Sequence, residues 1–104
     1  MAEPIDILRA QLNGETGKLS WKELERHFAR GVVIKVERGL DLVDVAAHIA
    51  QDDKASVERW MNEGRIARAS TEDAAGWNER QPTFWAVVTA PWVLVQEVGL
   101  ALNG

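Results

Sequence analysis

The chain reads as an α+β protein, a small winged-helix-like domain with a helix-turn-helix core and a short antiparallel sheet. Three observations predict this. Leu40 to Gly64 reads as two helices joined by a tight polar turn. A β-branched stretch, Val32 to Val36, precedes that pair, and the apolar run Phe84 to Val95 follows it. The resulting order, helix–strand–helix–helix–strand–strand, is that of a winged helix-turn-helix, with an extra helix near Trp77 in the place of the wing.

The first element is a short amphipathic helix. Ile5, Leu8 and Leu12 recur at helical spacing, Pro4 suits the first turn, and Asn13-Gly14 suits the stop. Glu15 to Leu19 reads as a connector. Ser20 opens a second helix through an S-x-x-E capping box with Glu23, in which each side chain satisfies an orphan backbone N–H. Trp21, Leu24 and Phe28 share its inner face, and Gly31 ends it.

Glu37-Arg38-Gly39 turns the chain after the first strand. Asp41 caps the next helix, whose apolar residues, Leu42, Val43, Val45, Ala46, Ala47, Ile49 and Ala50, cover most of the cylinder. So wide an arc implies contact on two sides. Asp52 or Asp53 caps the following helix, with Val57, Trp60 and Met61 expected inward and Gly64 as the stop. Arg65 to Ala69 is a weak strand. Ser70 or Thr71 caps a helix over TEDAAGWNER that Pro82 terminates. Phe84 to Ala90 is apolar on both faces and should be a covered strand. WVLVQEV after Pro91 suits a strand by its β-branched content, although Pro91 would also suit a first helical turn.

Composition bounds the function. At 104 residues, one domain over 1–104 is expected, and 46% hydrophobic with 27% charged residues is ordinary for a folded protein. No Cys is present, which excludes disulfides and thiolate metal sites. The start has no basic and apolar segments of a signal peptide, and the Phe84–Val95 run is too short to span a bilayer, so a cytoplasmic location and no membrane contact are expected. The net charge of −4 works against a dominant nucleic-acid role.

The outward face of the helix after Asp52 nonetheless offers Lys54, Arg59 and Asn62, with Arg65 and Arg68 beyond it. In a helix-turn-helix this helix enters the major groove, where Arg59 and Asn62 suit base reading and the other cations suit phosphates. Asp53 and Glu58 oppose that use. The same pair of helices serves equally as plain core. For protein contacts, Trp85, Trp92 and Leu94 of the apolar C-terminal region are the candidates. An uncovered apolar edge there would pair with a second copy, so a homodimer or a protein partner is expected.

Catalytic patterns are absent. There is no G-x-S-x-G, phosphate loop or dinucleotide fingerprint, and Ser20 and Ser70 are explained as caps. Asp44, His48 and Asp52 share a helix face at four-residue spacing, which could in principle hold a divalent metal. That pattern is common on exposed helices, so no metal and no cofactor are expected, and the protein reads as a non-enzyme.

Three segments, ETGKLSWKELERHFARG (Glu15 to Gly31), LDLVDVAAHIAQD (Leu40 to Asp52) and FWAVVTAPWVLVQE (Phe84 to Glu97), resemble those of a small bacterial family known as a domain of unknown function. The resemblance runs from about Leu8 to Glu97, and APWVLVQE is its most specific piece. It implies a bacterial origin. It implies no activity, substrate or catalytic residue.

Overall fold

A computed structural model describes residues 4–98. In chain order they form α1 (Pro4–Glu15), β1 (Gly17–Ser20), α2 (Trp21–Ala29), β2 (Val33–Val36), α3 (Leu42–Ala50), α4 (Lys54–Asn62), β3 (Ile66–Arg68), α5 (Thr71–Arg80), β4 (Thr83–Thr89) and β5 (Trp92–Glu97). The fold is α+β.

Local chemistry sets most boundaries. Ser20 and Glu23 form the expected capping box, and Ser70 with Asp73 forms a second one. Asp41 accepts the backbone N–H groups of Val43 and Asp44, and Asp53, not Asp52, accepts that of Ser56. Gly31 and Gly64 follow their helices at φ 75° and 73°, a conformation that glycine adopts without steric cost. Asp52 takes φ 58° in the tight turn between α3 and α4, where the sequence offers no glycine.

The strands make one sheet in the order β1-β4-β5-β2-β3. This departs from the expected short antiparallel sheet in three ways. Gly17–Ser20, read as connector, is a strand that pairs antiparallel with Thr83–Ala86 of β4. It has only four residues, mostly exposed, so it carries no apolar alternation to betray it. The central pair, β2 with β5, is parallel. And β3 pairs directly with β2, while α5 stands between β3 and β4 and packs on the other side of the sheet from α3. The stretch after Pro91 is a strand.

Helices cover both faces. On one face α1, α3 and α4 pack Leu12, Val45, Ala47 and Trp60 against Val36, Val87 and Leu94. On the other, α2 and α5 pack Trp21, Leu24 and Trp77 against Val33, Phe84, Val93 and Val95. Trp77 meets Phe84 edge-on, with centroids 5.0 Å apart. The wide apolar arc of α3 does contact two sides, with α1 on one and β4, β5 and α4 on the other.

β5 lies between β4 and β2 and is paired along both edges. β4 is flanked by β1 along its first half. β5 is therefore interior and has no free edge along Val93–Val95 for the edge-to-edge pairing expected of the C-terminal region. The strand edges without a partner belong to β1, to β3 and to the second half of β4, Val87–Thr89. Leu94 is fully buried, facing the α1/α3 core, so it is a core residue and not a partner contact. Leu94→Ala should lower the unfolding free energy by about 2–5 kcal/mol, the range for a large aliphatic side chain removed from a closed core, as read from urea denaturation.

Candidate binding groove beside the fourth helix

The position of α4 is fixed by a chain of polar contacts. Asp53 accepts the Ser56 backbone N–H at 3.2 Å and the Ser56 hydroxyl at 2.8 Å. His48 Nδ1, from the last turn of α3, lies 2.8 Å from the same carboxylate, and His48 Nε2 lies 3.5 Å from Asp44. Arg9 of α1 donates to Asp44 through Nε at 2.9 Å. The His48 ring also meets the edge of Trp60, at 5.4 Å between centroids. One run of contacts thus ties α1, α3 and α4 together. The Ser56 and His48 hydrogen bonds hold the Asp53 carboxyl below the usual carboxylate range. The expected face-sharing of Asp44 and His48 is present, but the second carboxylate is the cap Asp53 and not Asp52. Among the described residues no group of three or more His, Asp or Glu is arranged to hold a metal.

With α4 held in this way, an open groove of about 310 Å³ runs between it and the sheet. Ile34, Ile49, Val57, Met61 and Trp92 line it, and Lys54, Glu58 and Arg68 stand at its rim. Met61 is 50% exposed, although its spacing predicted an inward position. α4 is only nine residues long and fully buries Trp60 alone, so Met61 lands at the margin of the core, not within it. Arg68 donates through Nη2 to the Gly31 carbonyl at 2.6 Å and lies over the Trp92 ring at 5.4 Å. That stacking keeps one wall of the groove in place.

The groove gathers candidates from both expected sets: Lys54 and Arg68 from the nucleic-acid set, Trp92 from the partner set. The others lie elsewhere. Arg59 and Asn62 are exposed on the outer face of α4, with Arg59 over the Trp60 ring at 6.0 Å. Arg65 is turned to an ion pair with Glu37 at 3.0 Å. Trp85, 38% exposed, lies beneath Lys18 at 5.0 Å, beside the start of α3. Ile34 and Met61 were missed as site residues, because an apolar residue in a strand or helix reads first as core.

The sequence profile of a family described as "Protein of unknown function (DUF2288)" matches residues 7–97. The chain belongs to that family. The match spans almost the same residues as the resemblance seen in the sequence. The chain is also similar to PA1075 from Pseudomonas aeruginosa, known from an NMR solution structure. The two are 42% identical, the likeness covers 100% of this chain and 96% of that one, and the TM-score is 0.80. No curated protein matches the chain. Within this DUF2288 fold, no described helix is long and apolar enough to cross a membrane.

Acid should loosen the α4 attachment. A carboxyl held down in the folded state contributes stability that is complete above its unfolded value and is lost as pH falls through the lower folded value. Asp53→Ala should therefore lower the melting temperature at neutral pH, and the gap to the parent should shrink once pH falls below about 4, as followed by circular dichroism.

Proposed function

We propose that this family member is a non-catalytic cytoplasmic binding module that grips a short apolar segment of a protein partner in the groove beside α4. The observation that carries the reading is the exposure of Met61 in a groove whose other apolar lining residues are Ile34, Ile49, Val57 and Trp92, with Asp52, Asp53, Lys54, Glu58 and Arg68 around them. Met is a flexible, polarizable side chain suited to contact surfaces that must adapt. The groove falls at the small end of the size range for ligand sites, enough for one or two apolar side chains of a partner, and its rim of mixed charge suits a polar surround. Trp92 supplies the large aromatic anchor typical of such contacts.

A second reading rests on a separate observation. Lys54, Arg59 and Asn62 are exposed on α4 and have no carboxylate partner among the described residues, which supports a use of α4 against DNA. The net charge of −4 and the interleaved Glu58 and Glu63 weigh against it. A mobility-shift assay on genomic DNA fragments at low salt separates the two: the groove reading expects no shift, and a shift abolished by Arg59→Ala would install the DNA reading.

For the groove itself, a photo-crosslinking residue at position 61 should give a discrete protein adduct in the native host, with none from the exposed position 29 at the end of α2. An adduct with a second copy would make the module a homodimer, which light scattering of the purified protein would show independently. Met61→Glu should abolish the adduct formed by a crosslinker at position 58 and leave the melting temperature nearly unchanged, since the side chain is half exposed. Equal labelling from positions 61 and 29 would sink the proposal.

A further inference from the structure

Arg68 is held at the α4 groove by neutral partners. Its Nη2 donates to the Gly31 carbonyl at 2.6 Å, and its guanidinium lies over the Trp92 ring at 5.4 Å. Among the described residues it has no carboxylate partner. Arg9, Arg65 and Arg80 differ, each being paired with a carboxylate of Asp44, Glu37 or Glu97. An arginine paired inside the protein has its charge answered there. One held by a carbonyl and an indole keeps its charge, and most of its five N–H donors, for a ligand.

The chain around Arg68 allows this placement. Gly31 sits at φ 75°, and a Cβ there would stand 3.3 Å from Arg68 Nη2, closer than ordinary contact. Arg68 is the cross-strand partner of Ile34, and Ile34 that of Leu94. Cross-strand partners share a face, and so do residues two apart in a strand. Arg68, Ile34 and Trp92 therefore stand together on the face that α4 covers. The apolar surface beside the guanidinium is open: Ile34, Ile49, Val57 and Trp92 are half-buried and Met61 is exposed.

The acidic lining residues, Asp52, Asp53 and Glu58, lie on α4 and the turn before it, across the groove from Arg68. Asp53 is engaged by His48 and Ser56, and none of the three forms an ion pair with Arg68. The groove, at about 310 Å³, has room for one or two side chains. A ligand must therefore present an apolar group and an anion close together. The last residue of a peptide does so, because its side chain and its carboxylate leave the same Cα. An internal Asp or Glu next to an apolar residue does not, since neighbouring side chains of an extended chain point to opposite sides.

We propose that the groove takes the C-terminus of its protein partner, with the last apolar side chain against Ile34, Val57 and Met61 and the terminal carboxylate on Arg68. This rests on the groove reading given above and names the part of the partner that enters. Capture of a chain end by fixed donors is an established way to read a peptide, and the planar guanidinium suits a carboxylate through two parallel N–H donors.

The test is an NMR titration of the ¹⁵N-labelled full chain with acetyl-Gly-Gly-Leu at millimolar concentration, as the free acid and as the C-terminal amide. The acid should give saturable shifts at the Trp92 indole N–H and bind roughly three- to tenfold tighter than the amide, as for one charge-assisted pair at a partly exposed site. Arg68→Gln should bring the acid to the affinity of the amide and leave the amide unchanged, whereas a residue that only shapes the groove would weaken both alike. Arg68→Lys should recover part of the preference, through charge without the fork. The proposal is overturned if the acid gives no saturable shift, if acid and amide bind equally, or if Arg68→Gln weakens both to the same extent. In each of those cases a discrete adduct from position 61 still supports the groove reading, so the two fail separately.

Discussion

The structure depends on β5 being paired on both edges and covered on both faces. Its neighbours are β4, antiparallel, and β2, parallel. Its residues alternate between the two cores: Val93 and Val95 enter the α2/α5 side, and Leu94 enters the α1/α3 side. Over Val93–Val95 the strand is bonded on both edges and buried on both faces, so these residues must be apolar in both directions, which is what VLV provides. The parallel β2–β5 pair also determines the rest of the topology. It needs a long crossover, and α3, α4, β3, α5 and β4 all lie within it.

That arrangement moves binding capacity to the periphery. The centre of the sheet is closed on both sides, and two of the openings lie beside the covering helices α4 and α5. α4 is short and fully buries only Trp60, leaving the groove toward Trp92. α5 has Gly76 at its middle, in the lining of a cleft on the opposite side. In both cases polar contacts hold the covering helix at its distance: Arg9, Asp44, His48 and Asp53 for α4, and the Lys35–Asp73 and Arg80–Glu97 pairs for α5. The openings are preformed, which lowers the ordering cost of binding.

What the sequence disclosed was local. The capping box at Ser20, the cap at Asp41, the glycine stops at Gly31 and Gly64, and the span of α5 are all decided within four residues of themselves, and each was legible. Strand partners are not local. Nothing in GKLS indicates that it pairs with a segment more than sixty residues away. For the same reason Leu94 looked like an edge residue, because an apolar strand reads alike whether it is central or exposed. Asp53 was visible as a possible cap, but its bond to His48 required knowing how the α3–α4 turn closes, with Asp52 at positive φ. Of the groove, Lys54 and Arg68 stood out in the sequence as nucleic-acid contacts and Trp92 as a partner contact. That they line one surface follows from β2 lying between β3 and β5, a fact of topology that no spacing records.

Native-state hydrogen exchange would test this account most directly. If β5 is the shared strand of both cores, the amides of Leu94 and Val95 exchange only through global unfolding. The amides of α4, attached by one buried ring and a polar clamp, exchange through a smaller opening that leaves β5 protected. Exchange of the β5 amides before those of α4, or at the rate of the helix ends, would contradict it.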